Sequence, residues 1–166
     1  MPEARTAPPL RLRTATNTDS PGIIDLVGRC YGEYPGCVLD VDGEEPELLD
    51  PEGAFSAFWV LDRAGQVVGT IGCKIQPDGG GRRLELKKLY LDPDVRGDGW
   101  ARKLVALIEG FARQHDIGVV ELWTDTRFEN AHGLYAHLGY ARTGATRELH
   151  DKSNTVEYYF VKDLSK

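Results

Sequence analysis

Residues 84–114 read LELKKLYLDPDVRGDGWARKLVALIEGFARQ, a sequence that predicts a strand, a glycine-containing turn and a helix in succession. Residues 84–91 have the alternating pattern of a strand. The strand is predicted to stop at Asp92-Pro93, because proline has no N–H to donate to the hydrogen-bond ladder of a sheet. The last part of this sequence repeats apolar residues at the spacing of one helix face, with polar residues such as Glu109 elsewhere, which predicts the strongest helix of the chain. Between them, residues 95–101 hold two glycines and an arginine. Such a turn before a helix is a candidate anion site, since the first N–H groups of a helix are unsatisfied.

Two familiar phosphate-binding loops do not fit this turn. The P-loop requires GxxxxGK[ST], and the dinucleotide fingerprint requires GxGxxG with an acidic residue about 20 positions later. Here Gly97 and Gly99 are followed by Lys103, without a third glycine at the required offset. At this point a merely structural turn is an equal alternative to an anion site.

The rest of the chain predicts one domain over residues 10–166, after a flexible lead-in at 1–9 that contains three prolines. Residues 35–53 are rich in Gly, Pro and acids and predict a surface segment. Alternation and capping patterns predict strands near 10–15, 57–63, 66–76, 83–91, 119–124, 140–151 and 154–163, and helices near 18–34, 101–114 and 130–140. This order predicts helices that cross a mixed, largely antiparallel sheet rather than a doubly wound one.

Composition excludes several classes of function. With 26 acidic and 20 basic residues the net charge is −6, which argues against a general nucleic-acid surface. Cys30, Cys37 and Cys73 contain no CxxC pair, so neither a disulfide framework nor a metal site is indicated. The N-terminus lacks the apolar core of a secretory signal, and no run of roughly 18 apolar residues occurs. We therefore expect a cytoplasmic protein without a membrane partner.

Three linked motifs resemble the GNAT superfamily of acyl-coenzyme A-dependent N-acetyltransferases. The family signature [Q/R]xxGx[G/A] is matched by Arg96, Gly99 and Ala101. The strand and proline turn that usually precede this signature are matched by LKKLYLDPDVRGDG. A second signature, an apolar-Tyr pair before a Gly-aromatic ending, is matched by LYAHLGY at 134–140. The resemblance extends from about Leu10 to Leu164.

The resemblance implies an α/β fold of the α+β type. Its twisted sheet would have six to seven mostly antiparallel strands, about four flanking helices, and a V-shaped splay between two central strands. It also implies an enzyme that moves an acetyl group from acetyl-coenzyme A to a primary amine by direct attack in a ternary complex. The acceptor would be a small molecule, a lysine side chain or a peptide N-terminus, and a homodimer is left open.

The resemblance also assigns the cofactor contacts. N–H groups from Gly97 to Arg102 would hold the diphosphate, while backbone edges at 89–91 would meet the pantetheine arm. Asn130 is either a further cofactor contact or a simple helix N-cap. Asp98 and Trp100 depart from common members of the family. The implied contacts are Leu89, Tyr90, Leu91, Arg96, Gly97, Asp98, Gly99, Trp100, Ala101, Arg102 and Asn130.

Two residues are candidates for the proton transfers that acetyl transfer requires. By resemblance Tyr135 donates a proton to the leaving sulfur, although its helical spacing also fits a core aromatic. Glu85 is the candidate base by resemblance, and the alternative is an exposed ion pair with Lys87 on the same strand face. The remaining candidate bases are His132, His137 and His150. A covalent route through Cys73 is disfavoured because the thiol has no nearby histidine in its strand.

The acidic segment, residues 40–52, contains seven carboxylates and no Lys or Arg. Such a run is usually a solvated face, but by resemblance it borders the acceptor site and would favour a cationic amine. A second wall of that site is predicted at 149–158, LHDKSNTVEY. Two other functions remain open: a non-catalytic acyl-coenzyme A sensor, and a partner-binding module that uses the acidic segment.

Overall fold

The computed structural model describes residues 8–78 and 81–165. This part of the chain forms one seven-stranded sheet in the order β1-β2-β3-β4-β5-β7-β6. The strands are β1 Leu10–Thr14, β2 Ala57–Arg63, β3 Gln66–Asp78, β4 Gly81–Leu91, β5 Val119–Asp125, β6 Ala141–Glu148 and β7 Val156–Asp163. The helices are α1 Ser20–Tyr31, α2 Val41–Glu44, α3 Pro51–Ala54, α4 Trp100–Gln114 and α5 Glu129–His137, with 3-10 turns at Asn17–Asp19, Pro46–Leu49 and Pro93–Val95.

One parallel pair, β4 with β5, lies at the centre of this otherwise antiparallel sheet. Its ladder joins only Leu84 to Val120 and Glu85 to Glu121, although both strands continue for several residues. Beyond Glu85, the β4 edge that faces β5 therefore has no strand partner among the described residues. The mixed sheet and the splay between central strands are confirmed.

A β-bulge interrupts the β3–β4 ladder at this same level. Because Thr70 pairs with Tyr90 and Gly72 with Lys87, two residues of β4 stand opposite one of β3. Lys88 adopts a φ of 58°, which is rare for a residue other than glycine. The wholly buried Thr70 donates its hydroxyl to the Lys88 carbonyl at 2.8 Å and holds that conformation.

The sheet separates two hydrophobic clusters. Alternate residues of β2 point to opposite faces, so Val60 joins the cluster under α1 while Leu61 joins the cluster under α4. The predicted apolar face of α4 is confirmed, with Leu104, Val105 and Ile108 wholly buried. This packing fixes the start of α4 beside the end of β4.

The acidic segment differs from the surface segment that the sequence predicts over residues 35–53. It forms the single-turn helices α2 and α3 with a 3-10 turn between them, and Leu48 is completely buried. Ser20 donates its hydroxyl to the Leu48 carbonyl at 2.7 Å, which ties the segment to α1. Two adjacent leucines in a charged stretch carry no period, so the sequence pattern could not reveal this anchor.

The sequence PDGGGR at 77–82 also predicts a turn, whose centre at 79–80 lies outside the described residues, as does most of the lead-in predicted at 1–9. Across residues 8–78 and 81–165, no helix combines the length and the apolar run that a membrane crossing requires.

Candidate active site

A cavity of about 450 Å³ opens where β4 and β5 diverge, and we call it the splay cavity. It lies between residues 85–90 of β4 and residues 123–125 of β5. Consecutive residues of a strand point to opposite faces, so six lining residues in a row mean that the strand edge itself borders the cavity. Backbone polar groups of β4 are therefore exposed to whatever occupies this space.

Four of the predicted site residues line the splay cavity: Glu85, Leu89, Tyr90 and Tyr135. Leu91 does not. Its side chain is buried in the core, and its carbonyl oxygen accepts hydrogen bonds from the Cys30 thiol and from Arg96 Nε. The structure thus brings the two proposed catalytic residues to one cavity, although they are 50 positions apart in the chain.

Tyr135 enters the cavity from α5 and is only 5% exposed. Its ring packs against Tyr140 and Phe160 at centroid distances of 6.0 and 5.9 Å. Burial raises the pKa of the Tyr135 phenol, because the charged phenolate is disfavoured away from water. Tyr135 is therefore protonated at neutral pH, as a proton donor must be.

Glu85 borders the same cavity from β4. Its Oε2 accepts a hydrogen bond from Gln76 Nε2 at 2.9 Å, and its Oε1 lies 3.5 Å from Lys87 Nζ. Its side chain is 14% exposed. Glu85 and Lys87 therefore form an ion pair, but both side chains are largely buried, unlike the exposed pair that the sequence offered as an alternative, and Glu85 remains on the cavity wall.

The signature turn, residues 95–101, lies outside the splay cavity, between the end of β4 and α4. Gly97 and Gly99 have φ values of 87° and 83°, in the left-handed region that favours glycine. Gly99 is the N-cap of α4 and, having no side chain, makes no cap hydrogen bond to the first turn of that helix. The first N–H groups of α4 are thus available to an anion.

Arg96, the first residue of the signature, is held by Glu33, two residues beyond the end of α1. Its guanidinium donates to Glu33 at 2.8 and 2.7 Å. This charge-assisted contact raises the pKa of Arg96 and lowers the pKa of Glu33. In this structure the guanidinium therefore secures the turn to the chain just after α1.

The other predicted cofactor contacts lie near the start of α4. The Nη2 atom of Arg102 lies 3.0 Å from the Nε2 atom of His137. The Lys103 ammonium lies 4.3 Å from the Trp100 ring centroid. Ala101 packs against the core, while Asp98 is exposed. Asn130 is exposed on α5, whose N-cap is Phe128, so the alternative reading of Asn130 as an N-cap is wrong.

Lys88 is a residue of the cavity that the sequence analysis missed. Its ammonium pairs with Glu45 and lies 3.5 Å from Glu47, and its side chain is only 11% exposed. Tyr31 also donates its hydroxyl to Glu45, at 3.0 Å. The acidic segment therefore has a neutralising partner 43 residues away, which no local pattern could indicate.

Cys73 and the three candidate histidines differ in where they lie relative to the splay cavity. Cys73 is wholly buried in β3, where burial raises the pKa of its thiol to about 12, as expected of an unreactive thiol. His132 Nε2 is bonded to the Asp125 carbonyl at 2.8 Å. His137 lies beside Arg102, away from the splay cavity, whereas the exposed His150 lines it.

A model of the acetyltransferase (GNAT) family matches residues 21–140, which is more than half of the chain. The chain belongs to this family, and the resemblance recognised in its motifs is confirmed.

Three curated relatives are similar to this chain, and two of them carry N-acetyltransferase in their names. N-acetyltransferase 8 of Rattus norvegicus is 36% identical over 123 residues, covering 72% of this chain and 54% of the relative. N-acetylaspartate synthetase of Danio rerio is 32% identical over 115 residues, covering 69% of this chain and 40% of the relative. The chain thus spans about half the length of these two proteins. The uncharacterized N-acetyltransferase YjgM of Escherichia coli (strain K12) is 32% identical over 137 residues, covering 78% and 80%.

Solved structures share the fold at low identity. A GNAT-family acetyltransferase from Staphylococcus aureus Mu50 superimposes with a TM-score of 0.78 at 18% identity, covering 94% of this chain and 99% of the other. The PaiA N-acetyltransferase of Thermoplasma acidophilum, solved with coenzyme A, has a TM-score of 0.71 at 16% identity, covering 93% and 99%.

Proposed function

We propose that this protein transfers an acetyl group from acetyl-coenzyme A to a primary amine by direct attack in a ternary complex. The observation that carries the proposal is the splay cavity, which joins an open β4 edge to a buried tyrosine. An uncapped helix start preceded by two left-handed glycines follows the same strand. Such a helix start suits the pyrophosphate of coenzyme A.

Binding is assigned to backbone groups. N–H groups from Gly97 to Arg102 hold the diphosphate, and the open edge at Leu89 and Tyr90 meets the pantetheine arm. A main-chain N–H near Leu89 polarises the thioester carbonyl, since a fixed donor stabilises the charge that develops on that oxygen. When bound, acetyl-coenzyme A supplies the activated acetyl group.

The two side chains divide the proton transfers. A C–N bond forms between the acceptor nitrogen and the acetyl carbon while the C–S bond breaks. Glu85 takes one proton from the ammonium, directly or through water, so that a neutral nitrogen attacks. The second proton that this nitrogen loses as the C–N bond forms passes to water, and Tyr135 gives its proton to the departing sulfur. Cys73 has no part, because its thiol is buried in the core.

The charge of the cavity supports a cationic acceptor. Seven carboxylates and three cations line the splay cavity, and one of the carboxylates, Asp125, also pairs with Arg127 outside it. An excess of negative charge remains after these ion pairs and those of Lys88, Lys87 and Arg147 are counted. An ammonium group is attracted to such a site. The carboxylates belong to Glu44, Glu45, Glu47, Glu85, Asp125, Asp151 and Glu157.

Two measurements test this proposal against the alternatives. Isothermal titration with acetyl-coenzyme A should show binding, and thiol release should be seen with at least one member of a panel of primary amines. The panel should include simple alkylamines and arylalkylamines, polyamines, aminoglycosides, and peptides with a free N-terminus or lysine. Binding without turnover across the panel would indicate a sensor. Absence of binding would indicate a partner-binding module.

A further inference from the structure

Two exposed apolar side chains line the splay cavity. Three large apolar residues are exposed within the described part of the chain: Val38 at 46%, Leu49 at 51% and Leu149 at 42%. Val38 and Leu149 line the cavity, whereas Leu49 does not. One exposed apolar side chain needs no explanation. Val38 and Leu149, however, come from remote segments and line one cavity, which indicates that a bound molecule makes apolar contact there.

Hydrogen bonds hold these two residues in place. The Val38 N–H donates to Ser153 Oγ at 2.8 Å, and the Ser153 hydroxyl donates to the Val38 carbonyl at 3.1 Å. Leu149 N–H donates to the Thr155 carbonyl at 3.0 Å. Since Ser153 and Thr155 are both buried, the apolar pair is part of a built wall.

A second set of contacts ties the same two segments together. The Lys152 N–H donates to Glu44 at 2.8 Å, and its ammonium lies 2.7 Å from Asp40. The segment that carries Val38 and the loop that carries Leu149 are thus fixed to each other beside the carboxylates of the cavity.

Aromatic side chains extend the apolar lining. Trp123 and Phe128 both line the splay cavity. Phe128 packs on Tyr34 at 4.7 Å and on Tyr31 at 6.5 Å between ring centroids, and Tyr31 in turn donates to Glu45. Apolar surface and carboxylate therefore adjoin within the same cavity.

We propose that the acceptor is a small primary amine with an apolar body, alkyl or aryl, a few bonds from its nitrogen. This inference rests on the proposed acetyl transfer. The apolar body covers Val38 and Leu149, while the ammonium faces the carboxylates. The acceptor is small because about 450 Å³ must hold it together with the acetyl end of the donor.

The test compares two amines with equal numbers of heavy atoms, hexylamine and 2-(2-aminoethoxy)ethanol. We expect a higher kcat/KM for hexylamine with the unmodified protein. Val38→Ser and Leu149→Ser should each lower the hexylamine preference about 3- to 10-fold, because less than half a side chain of apolar contact is lost. Leu49→Ser is the matched control, equally exposed and outside the cavity, and it should leave the preference unchanged.

Several results would overturn the inference while leaving acetyl transfer intact. These are equal use of both amines, an unchanged preference in Val38→Ser and Leu149→Ser, or turnover confined to polyamines or peptides. A wholly inactive protein across the full amine panel would instead reject the proposed function, and this inference with it. Circular dichroism and acetyl-coenzyme A titration on each variant separate altered preference from altered folding.

Discussion

Arg96 and Glu33 form a two-bond ion pair, with donor–acceptor distances of 2.8 and 2.7 Å. The pair joins the signature turn to the chain two residues beyond the end of α1. Arg96 Nε also donates to the Leu91 carbonyl at 3.0 Å, so one side chain connects the turn to both Glu33 and β4. The turn thus depends on a residue 63 positions earlier.

We predict that Glu33→Gln weakens acetyl-coenzyme A binding by about two- to fivefold, a modest loss because the pair is partly exposed. Arg96 lowers the pKa of Glu33, so the pair is complete above the ordinary glutamate value of about 4.3 and is lost as the pH falls through the lowered pKa. The affinity difference between wild type and variant should therefore vanish in acid.

Titration calorimetry from pH 7 downward measures this difference. Asp94→Asn is the matched control, since Asp94 pairs with Arg63 just before the turn. Tighter binding of acetyl-coenzyme A by Glu33→Gln would contradict this prediction. It would show that Arg96 binds the phosphates better when it is not paired with Glu33.

Gly99→Val should greatly weaken acetyl-coenzyme A binding. A Cβ at this position would meet no atom within 4 Å, but the φ of 83° strains a β-branched residue. The variant must therefore move the turn to relieve strain. Gly118→Val, also open to solvent but without a positive φ, should bind normally. Unchanged affinity in Gly99→Val would place the diphosphate elsewhere.

Tyr135→Phe should lower turnover about 10²- to 10⁴-fold with acetyl-coenzyme A affinity unchanged, because only the donated proton is lost. A donor must be protonated, so its activity falls as the pH rises through its pKa. Burial raises that pKa above the ordinary value of about 10, so any loss of kcat below pH 10 must come from another group. Single-turnover rates across pH measure both effects.

Tyr140→Phe is the control for this substitution. Tyr140 packs against Tyr135, and its hydroxyl is buried without a hydrogen-bond partner among the described residues. Removing a buried unsatisfied hydroxyl should leave the free energy of unfolding equal or slightly higher, and turnover equal. Similar rate losses in both variants would assign Tyr135 a packing role.

Glu44→Gln should lower kcat/KM for a cationic amine about two- to fivefold at 0.1 M salt. Glutamine can still accept the Lys152 N–H, so the variant removes charge with little change of structure. The difference should fade at 1 M salt, where the Debye length falls from about 10 Å to about 3 Å. Changing Glu45 or Glu47 is less informative, since it would leave the buried Lys88 poorly paired.

Asp42→Asn, on the same helix but exposed and outside the cavity, should not change kcat/KM. An equal loss in Asp42→Asn and Glu44→Gln would indicate a general effect of net charge, and no loss in either would mean that the amine is chosen deeper in the cavity.

The features of the fold that depend on neighbouring residues could be predicted from linear patterns. Period-2 alternation marked the strands, and the apolar face of α4 was visible in residues 101–112. The positive φ angles at Gly97 and Gly99 also belong to a local motif. Each of these follows from the conformations that a few adjacent side chains permit, so a linear pattern is sufficient.

The pairing of distant charged residues could not be predicted in this way, because it depends on how the chain packs. Lys88 and Glu45 pair across 43 residues, and Glu33 holds Arg96 across 63. Likewise Glu109, on the side of α4 predicted to be polar, is buried against Lys162 at 2.6 Å. A long charged side chain gives no periodic signal of its partner, because the contact depends on how whole strands and helices pack.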